Sequence, residues 1–233
     1  MLQPASALLA EGLVKLGLKE SEGRILPLLE RYIEEIELFN PAYGLVKVRD
    51  REELIVKHIL DSLAPLKVLC DLSKNSANFK IADVGSGAGL PGIPLAVCLP
   101  HAAFTLIERM GRRAGFLRDA VAMLGFPNVT IEEAEMEELT LTAENCFDLI
   151  VFRAFKPLDN AILKGLFAIL KPSGFLAAYK GRRQAIDEEM AGLQNVSWEA
   201  IPLEVPFLEE ERHLVLIKRE INNLALKGEV CWF

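Results

Sequence analysis

Short apolar segments alternate with longer segments of helical character from about residue 79 onward. Parallel strands need crossover connections, which helices usually provide, so this alternation predicts an α/β fold with a mostly parallel sheet and helices on both faces. Two later segments, separated by a proline and an acidic run, are typical of an antiparallel pair at the sheet edge. The predicted strands are Lys80–Val84, Phe104–Ile107, Val129–Ile131, Leu149–Phe152 and Phe175–Tyr179, the edge pair is Val196–Val205 and His213–Lys218, and the predicted helices are Pro91–Cys98, Arg112–Leu124 and Leu158–Leu170.

The N-terminal third of the chain has helical spacing instead. Apolar side chains recur every three or four residues from Ile25 to Phe39, and Asn40-Pro41 is expected to end that helix. A further helix is expected at Arg51–Ala64. The sequence therefore predicts an N-terminal helical cap at residues 1–75, a sheet domain at 76–220 and a C-terminal tail at 221–233.

Composition restricts the location of the protein and the kinds of site it can contain. The 233 residues are 51% hydrophobic, which is enough for one sizeable core. The longest apolar stretch, Gly89–Pro100, is too short to span a bilayer, and we expect neither a membrane span nor a signal peptide. The four cysteines lack C-x-x-C spacing, so we expect no metal site and no disulfide framework. A reducing, cytoplasmic location follows.

A glycine-rich turn connects the first predicted strand to the helix after it. Glycine tolerates positive φ and lets the backbone approach a ligand where a Cβ atom would block it, so this turn predicts a cofactor loop. The spacing Gly87-x-Gly89-x-x-Gly92, followed by Glu108, also matches the dinucleotide fingerprint. Asp83, however, would repel a pyrophosphate. A zwitterionic, sulfonium-bearing ligand suits the two acids better, with Asp83 near an ammonium group and Glu108 on the ribose hydroxyls. The alternative for Asp83 is a helix-capping or salt-bridging role.

Further candidates lie where later strands end, at the edge where sheet ligands bind. Met136 and Glu137 follow the third strand, and Met136 is expected either to pack on an adenine ring or to belong to the core. Arg153 ends the fourth strand, where it is the best candidate for a pocket residue. The alternative is a structural ion pair with Glu137 or Asp83.

Positive charge is concentrated in two short clusters of an otherwise acidic chain. The formal net charge is −7, so any contact with nucleic acid must use a local basic patch. Arg112 and Arg113 open the helix after the second strand, and Lys180 and Arg182 follow the fifth. A parallel sheet places both clusters at one edge, where they are expected to contact RNA. The alternative is that they are solvated side chains balancing nearby glutamates.

Seven segments of the sequence match one known protein family. They are His58–Leu63, Ala82–Leu95, Phe104–Glu108, Arg113–Leu117, Phe152–Phe155, Leu170–Gly174 and Tyr179–Gly181. At these segments the chain resembles the ribosomal RNA small subunit methyltransferase G proteins, also called glucose-inhibited division protein B. The family commonly has Asn-Leu-Thr where Gly44-Leu45-Val46 stands here, and this departure weakens the expectation of a polar substrate contact from this loop.

The resemblance implies a Rossmann-like class I methyltransferase fold and S-adenosylmethionine as the cofactor. It also implies methylation of guanine N7 in bacterial 16S small-subunit rRNA, offered naked or within the small ribosomal subunit, by a protein expected to be a monomer. The implied cofactor contacts lie at the positions that match Gly85, Leu90, Glu108, Met136, Glu137 and Arg153.

Methylation of guanine N7 needs no general base, because this nitrogen has an in-plane lone pair and no proton. We therefore expect no catalytic acid or base, and alignment of the two reactants becomes the task of the enzyme. His58 with Asp61 is expected to form a structural hydrogen-bonded group, and the alternative is a pocket lining. Three other functions stay open: a methyltransferase for another RNA, a protein or a small molecule; a nicotinamide-dependent oxidoreductase; and a non-catalytic ribosome-binding protein.

Overall fold

The computed structural model describes residues 4–19, 22–74, 78–135, 147–154 and 157–220. Its described strands form one seven-stranded sheet in the order β3-β2-β1-β4-β5-β7-β6. Strands β1 to β5 run parallel, and β7 runs antiparallel to both β5 and β6, which confirms the predicted sheet and its antiparallel edge pair. The strands are β1 (Lys80–Val84), β2 (Ala103–Ile107), β3 (Val129–Glu132), β4 (Phe147–Arg153), β5 (Leu170–Lys180), β6 (Val196–Leu203) and β7 (Arg212–Arg219).

Helices cover both faces of this sheet. One helix has three consecutive parts, Arg51–Leu54, a π-helical turn at Ile55–Leu60, and Asp61–Leu63, and we call it α3. The others are α1 (Pro4–Lys15), α2 (Glu22–Tyr43), α4 (Leu66–Ser73), α5 (Gly92–Cys98), α6 (Gly111–Leu124), α7 (Asn160–Ile169) and α8 (Arg183–Met190).

Two apolar cores lie on the two sides of the sheet, because successive side chains of a strand point to opposite faces. Ile81 belongs to the core shared with α1 to α6, whereas Ala82 and Val84 belong to the core shared with α7 and α8. The N-terminal helices therefore pack into the same core as one face of the sheet. The predicted domain boundary near residue 75 stays a prediction.

The predicted end of α2 was wrong. Asn40-Pro41 does not stop the helix, which continues to Tyr43 with Pro41 in its last turn. The helix stops at Gly44, whose φ of 59° is the left-handed conformation that commonly follows a helix. The Gly44 N–H donates to the Asn40 carbonyl, and the Asn40 side chain accepts from the Val46 N–H. Glycine, not proline, is therefore the stop signal here.

The strand order predicts a ligand-binding crevice at the carboxyl ends of β1 and β4. The chain leaves β1 towards β2 on one side and later returns to β4 on the other, and such a switch point is where open parallel sheets bind ligands. Within the described ranges, no helix is long and apolar enough to cross a membrane.

Candidate functional site

The glycine-rich turn lies at the carboxyl end of β1. Its first amides, those of Gly85 and Ser86, both donate to the Ile107 carbonyl at 3.0 Å, which ties the turn to the end of β2. The Leu90-Pro91 peptide bond is cis, and Pro91 directly precedes α5, one residue later than predicted. The Tyr32 hydroxyl of α2 donates to the Ala88 carbonyl and holds the turn from the other side.

Two glycines of the turn serve different purposes. Gly89 has φ of 90°, and a Cβ atom there would lie 2.5 Å from Ile93 Cδ1, so the backbone conformation and the packing together favour glycine. Gly87 has φ of 60°, and among the described residues a Cβ atom there would have only the Gly85 carbonyl oxygen, at 3.9 Å, as a neighbour. No other part of the chain that the structure describes approaches this position, as a ligand-facing backbone requires.

Asp83, the carboxylate of β1, is buried beneath the turn and is 1% exposed. Its Oδ2 accepts from the Ser86 hydroxyl at 2.7 Å and from the Gly92 N–H at 2.9 Å, whereas its Oδ1 is buried and has no hydrogen-bond partner among the described residues. Burial raises the pKa of this carboxyl to about 6, although the bonds from Ser86 and Gly92 oppose the shift. A buried acid with one free oxygen is suited to an ammonium group.

Glu108 follows β2 and spans the gap between the turn and α6. Its Oε2 accepts from the Gly87 N–H and its Oε1 accepts from the Met110 N–H, both at 2.9 Å. The side chain is buried and therefore held in one orientation. Each oxygen retains a second lone pair, so the same carboxylate can also accept from two neighbouring hydroxyl groups.

Arg153 ends β4 and points at the π-helical turn of α3. Its guanidinium donates to Asp61 Oδ2 at 2.9 Å, to the Lys57 carbonyl at 3.1 Å and to His58 Nδ1 at 3.0 Å. Asp61 also accepts from Arg212 Nε of β7 at 3.1 Å. The ion pair considered for Arg153 thus has Asp61 as its partner, and a cofactor contact by Arg153 stays a prediction.

His58 is neutral in this arrangement. Burial lowers its pKa to about 4, and the neighbouring positive charge of Arg153 acts in the same direction. Since arginine can only donate, His58 Nδ1 must accept, which places the ring proton on Nε2. The geometry is that of a hydrogen-bonded structural histidine.

The predicted RNA-contacting residues lie at the carboxyl edge of the sheet but differ in their surroundings. Arg112 is exposed beside the Tyr43 ring, and Arg113 donates to the Gly44 carbonyl at 3.3 Å. Arg182 is exposed just before α8. The Lys180 ammonium is instead paired with Glu189 at 2.8 Å. Three of the four are thus on or near the surface, whereas Lys180 is engaged inside the protein.

Sequence reasoning missed three side chains that shape this region. Tyr32 fits the apolar helical spacing and was indistinguishable from a core position. Tyr179, the last but one residue of β5, is buried with its hydroxyl donating to the Ser62 carbonyl at 2.9 Å. Arg212 reaches Asp61 from a distant part of the chain. Met136 and Glu137, both predicted to contact the cofactor, lie outside the described residues.

The described residues form a site for an organic cation and hydroxyl groups. They contain no group of three His, Cys, Asp or Glu side chains that could hold a metal ion. The free Asp83 oxygen, the open Gly87 and the two remaining lone pairs of Glu108 fit the ammonium and ribose of S-adenosylmethionine.

Two solved methyltransferase structures have a similar fold. A putative O-methyltransferase from Klebsiella pneumoniae superimposes with a TM-score of 0.56 at 16% identity, covering 84% of this chain and 90% of that one. A SAM-dependent methyltransferase from Aquifex aeolicus has a TM-score of 0.52 at 18% identity, covering 68% and 91%. At such identities the likeness establishes the class I methyltransferase fold.

Sequence relatives are more specific. A ribosomal RNA small subunit methyltransferase G from Treponema pallidum is 42% identical over 222 residues, which cover 93% of this chain and 96% of the relative. A protein of the same name from Stenotrophomonas maltophilia is 38% identical over 218 residues, covering 92% and 96%. The family model of rRNA small subunit methyltransferase G (GidB) matches residues 25–215. The chain therefore belongs to the rRNA small subunit methyltransferase G family.

Proposed function

We propose that this protein is an S-adenosylmethionine-dependent methyltransferase that modifies guanine N7 in bacterial small-subunit rRNA. The observation that carries the cofactor is the pair of buried acids at the glycine turn, one with a free oxygen and one with spare lone pairs. The substrate is supported by the names of the relatives, which identify small-subunit rRNA methyltransferases. A cytoplasmic location and a monomeric state belong to the same proposal.

The cofactor would lie over the glycine turn. The Asp83 Oδ1 atom would accept from its ammonium group, Glu108 would accept from its ribose hydroxyls, and the backbone of Gly85 and Gly87 would allow close approach. Leu90, whose side chain is buried, is proposed to contact the cofactor as well. Met136, Glu137 and Arg153 complete the set of proposed contacts.

When bound, S-adenosylmethionine supplies a sulfonium-bound methyl group to an acceptor lone pair. The chain's own residues have to orient the acceptor base and exclude water, which is worth up to about 7–11 kcal/mol in the best-aligned reactions. No residue has to remove a proton from guanine N7. The surroundings of His58 are consistent with this, because its Nδ1 is occupied by Arg153 and its pKa is lowered to about 4.

The anionic substrate would meet the carboxyl edge of the sheet. Arg112, Arg113 and Arg182 would contact RNA phosphates there, with Lys180 below them. A target base within folded RNA has to be unstacked to reach the site, at a cost of a few kcal/mol. Cations at the rim can stabilise that opened RNA without touching the acceptor nitrogen.

Transfer of a radiolabelled methyl group to small-subunit rRNA tests the function. The RNA is offered naked and as assembled subunits, and N7-methylguanine is then mapped. Label at one guanine is the expected result. If S-adenosylmethionine binds by calorimetry but neither RNA form is labelled, the rRNA substrate is wrong and a small-molecule or protein acceptor takes its place.

Glu108→Gln tests the cofactor site separately. The amide keeps one acceptor oxygen but replaces the other with a donor, so it opposes the Gly87 or Met110 N–H and loses a ribose contact. We expect the Kd for S-adenosylmethionine to rise by about tenfold or more. Glu199→Gln, at an exposed position of β6, is the matched control and should leave the Kd unchanged.

A further inference from the structure

A second concave surface lies away from the glycine turn, between the N-terminal helices and the connection from β6 to β7. It is a groove of about 570 Å³. Its walls come from α1, from the first turns of α3 and from the segment Phe207–Glu210. We call it the α3 groove. Lys57 lines it, and the carbonyl of the same residue accepts from Arg153, so the groove adjoins the proposed substrate site.

The floor of the α3 groove is apolar and includes an exposed aromatic ring. Leu8, Val56 and Leu208 contribute partly buried side chains, and Phe207 is 40% exposed. The Lys15 ammonium lies 4.2 Å from the centroid of the Phe207 ring. One cation of the chain thus already uses this ring, which shows that the ring can attract a positive group.

The rim of the α3 groove is acidic. It has five acidic side chains and two basic ones, and the basic ones are already neutralised: Lys57 pairs with Glu53 and Glu210, and Arg49 pairs with Glu53. Glu52 and Glu209 are exposed, and their side-chain carboxylates form no hydrogen bond or ion pair with any residue that the structure describes. Two carboxylates at the rim of the groove are therefore available to pair with a positively charged ligand.

We propose that the α3 groove binds a lysine- or arginine-rich polypeptide segment that also carries apolar side chains. Basic groups would pair with Glu52 and Glu209, and an apolar or guanidinium group would pack on Phe207. RNA is disfavoured here because phosphates would meet an excess of carboxylates. The inference rests on the proposed function in one respect: an assembled small subunit would present such a basic segment beside its rRNA.

Binding of a fluorescein-labelled peptide made of arginine, lysine and leucine tests this directly. Fluorescence anisotropy is measured without cofactor or RNA, so the result does not depend on methyl transfer. We expect saturable binding of this peptide and none of a glutamate-leucine peptide of equal length. Absence of saturable binding, or equal binding of both peptides, overturns the inference.

Charge reversal identifies the surface. Glu52→Lys combined with Glu209→Lys should weaken peptide binding by about tenfold or more, since two attractive contacts become repulsive. Glu34→Lys combined with Glu199→Lys changes the net charge equally at exposed positions outside the groove and should alter the Kd by less than about twofold. Equal losses in the two double variants would mean that only net charge matters, and the inference fails.

Phe207→Asn tests the apolar contact without unfolding the protein. Phe207 has φ of 65°, a conformation that asparagine tolerates better than phenylalanine, so the fold should be kept. We expect peptide affinity to fall by about threefold to tenfold. As an opposing outcome, unchanged peptide binding with weakened polyuridylate binding in this variant would assign the groove to RNA.

Discussion

The buried carboxyl of Asp83 makes the free energy of unfolding depend on pH. Burial raises its pKa from 3.8 to about 6, so the folded protein holds this proton more tightly than the unfolded chain does. The stabilisation from this group is complete below about pH 4 and is lost as the pH rises through about 6; two pKa units correspond to roughly 3 kcal/mol. Asp83→Asn keeps an acceptor for Ser86 and Gly92 but cannot ionise. Urea unfolding between about pH 4 and pH 7 should show the variant gaining up to about 3 kcal/mol relative to the parent protein. A difference that stays constant with pH would contradict this.

Asp61 is the acid that two arginines share. It is 5% exposed and accepts from Arg153 and Arg212, so Asp61→Asn leaves two poorly solvated guanidinium groups without a counter-charge. We expect a loss of about 2–4 kcal/mol in the free energy of unfolding. Asp187→Asn breaks a half-exposed ion pair with Arg183 and is the matched control, expected to cost under about 0.5 kcal/mol. Equal losses in the two variants would show that Asp61 is not a special position.

At the scale of the element, two glycines of the turn allow the effects of packing and of ligand access to be measured separately. Gly89→Ala places a Cβ atom against Ile93 and forces alanine into positive φ, so we expect a loss of about 2–4 kcal/mol in stability. Gly87→Ala meets only the backbone strain and should lose about 1–2 kcal/mol. Gly87→Ala should nevertheless weaken S-adenosylmethionine binding at temperatures where it is folded. Thermal unfolding and calorimetry on both variants distinguish the two effects, and unchanged cofactor affinity in folded Gly87→Ala would remove Gly87 from the site.

Elements with a strong local pattern were predicted well, and elements shaped by distant contacts were not. The strands of the sheet are short apolar runs whose flanking turns are visible in the sequence, so their ends were found to within two residues, except that β5 begins at Leu170, five residues before the predicted Phe175. No such signal marks the π-helical turn in α3. At this turn the guanidinium of Arg153, from β4, donates to the Lys57 carbonyl, and a contact between such distant segments is not visible in the sequence. The end of α2 was misplaced because a proline in the last turn of a helix costs little stability. The residue that ends the helix is Gly44.

At the scale of the whole molecule, site residues that lie close together in the sequence could be predicted. Site residues that the fold brings together from distant segments could not. Asp83, Gly87 and Glu108 were identified because a strand, a glycine turn and a following strand place them together by local rules. The Asp61–Arg153–Arg212 group unites α3, β4 and β7, which only the assembled fold brings together. Lys180 pairs with Glu189 of α8, and its predicted contact with RNA stays a prediction.

The distribution of charge over the molecule makes a final prediction. With a formal net charge of −7, attraction to RNA must come from a local patch, and Arg112 and Arg113 provide one at the carboxyl edge of the sheet. Arg112→Ala combined with Arg113→Ala removes up to two phosphate contacts. RNA affinity should fall, and the slope of log K against log salt should become shallower by about 2. Lys67→Ala combined with Lys164→Ala removes the same charge from exposed positions on α4 and α7 and should leave the slope nearly unchanged. If filter binding over a range of salt concentrations gave identical slopes for the two double variants, RNA would have to approach the protein from another side.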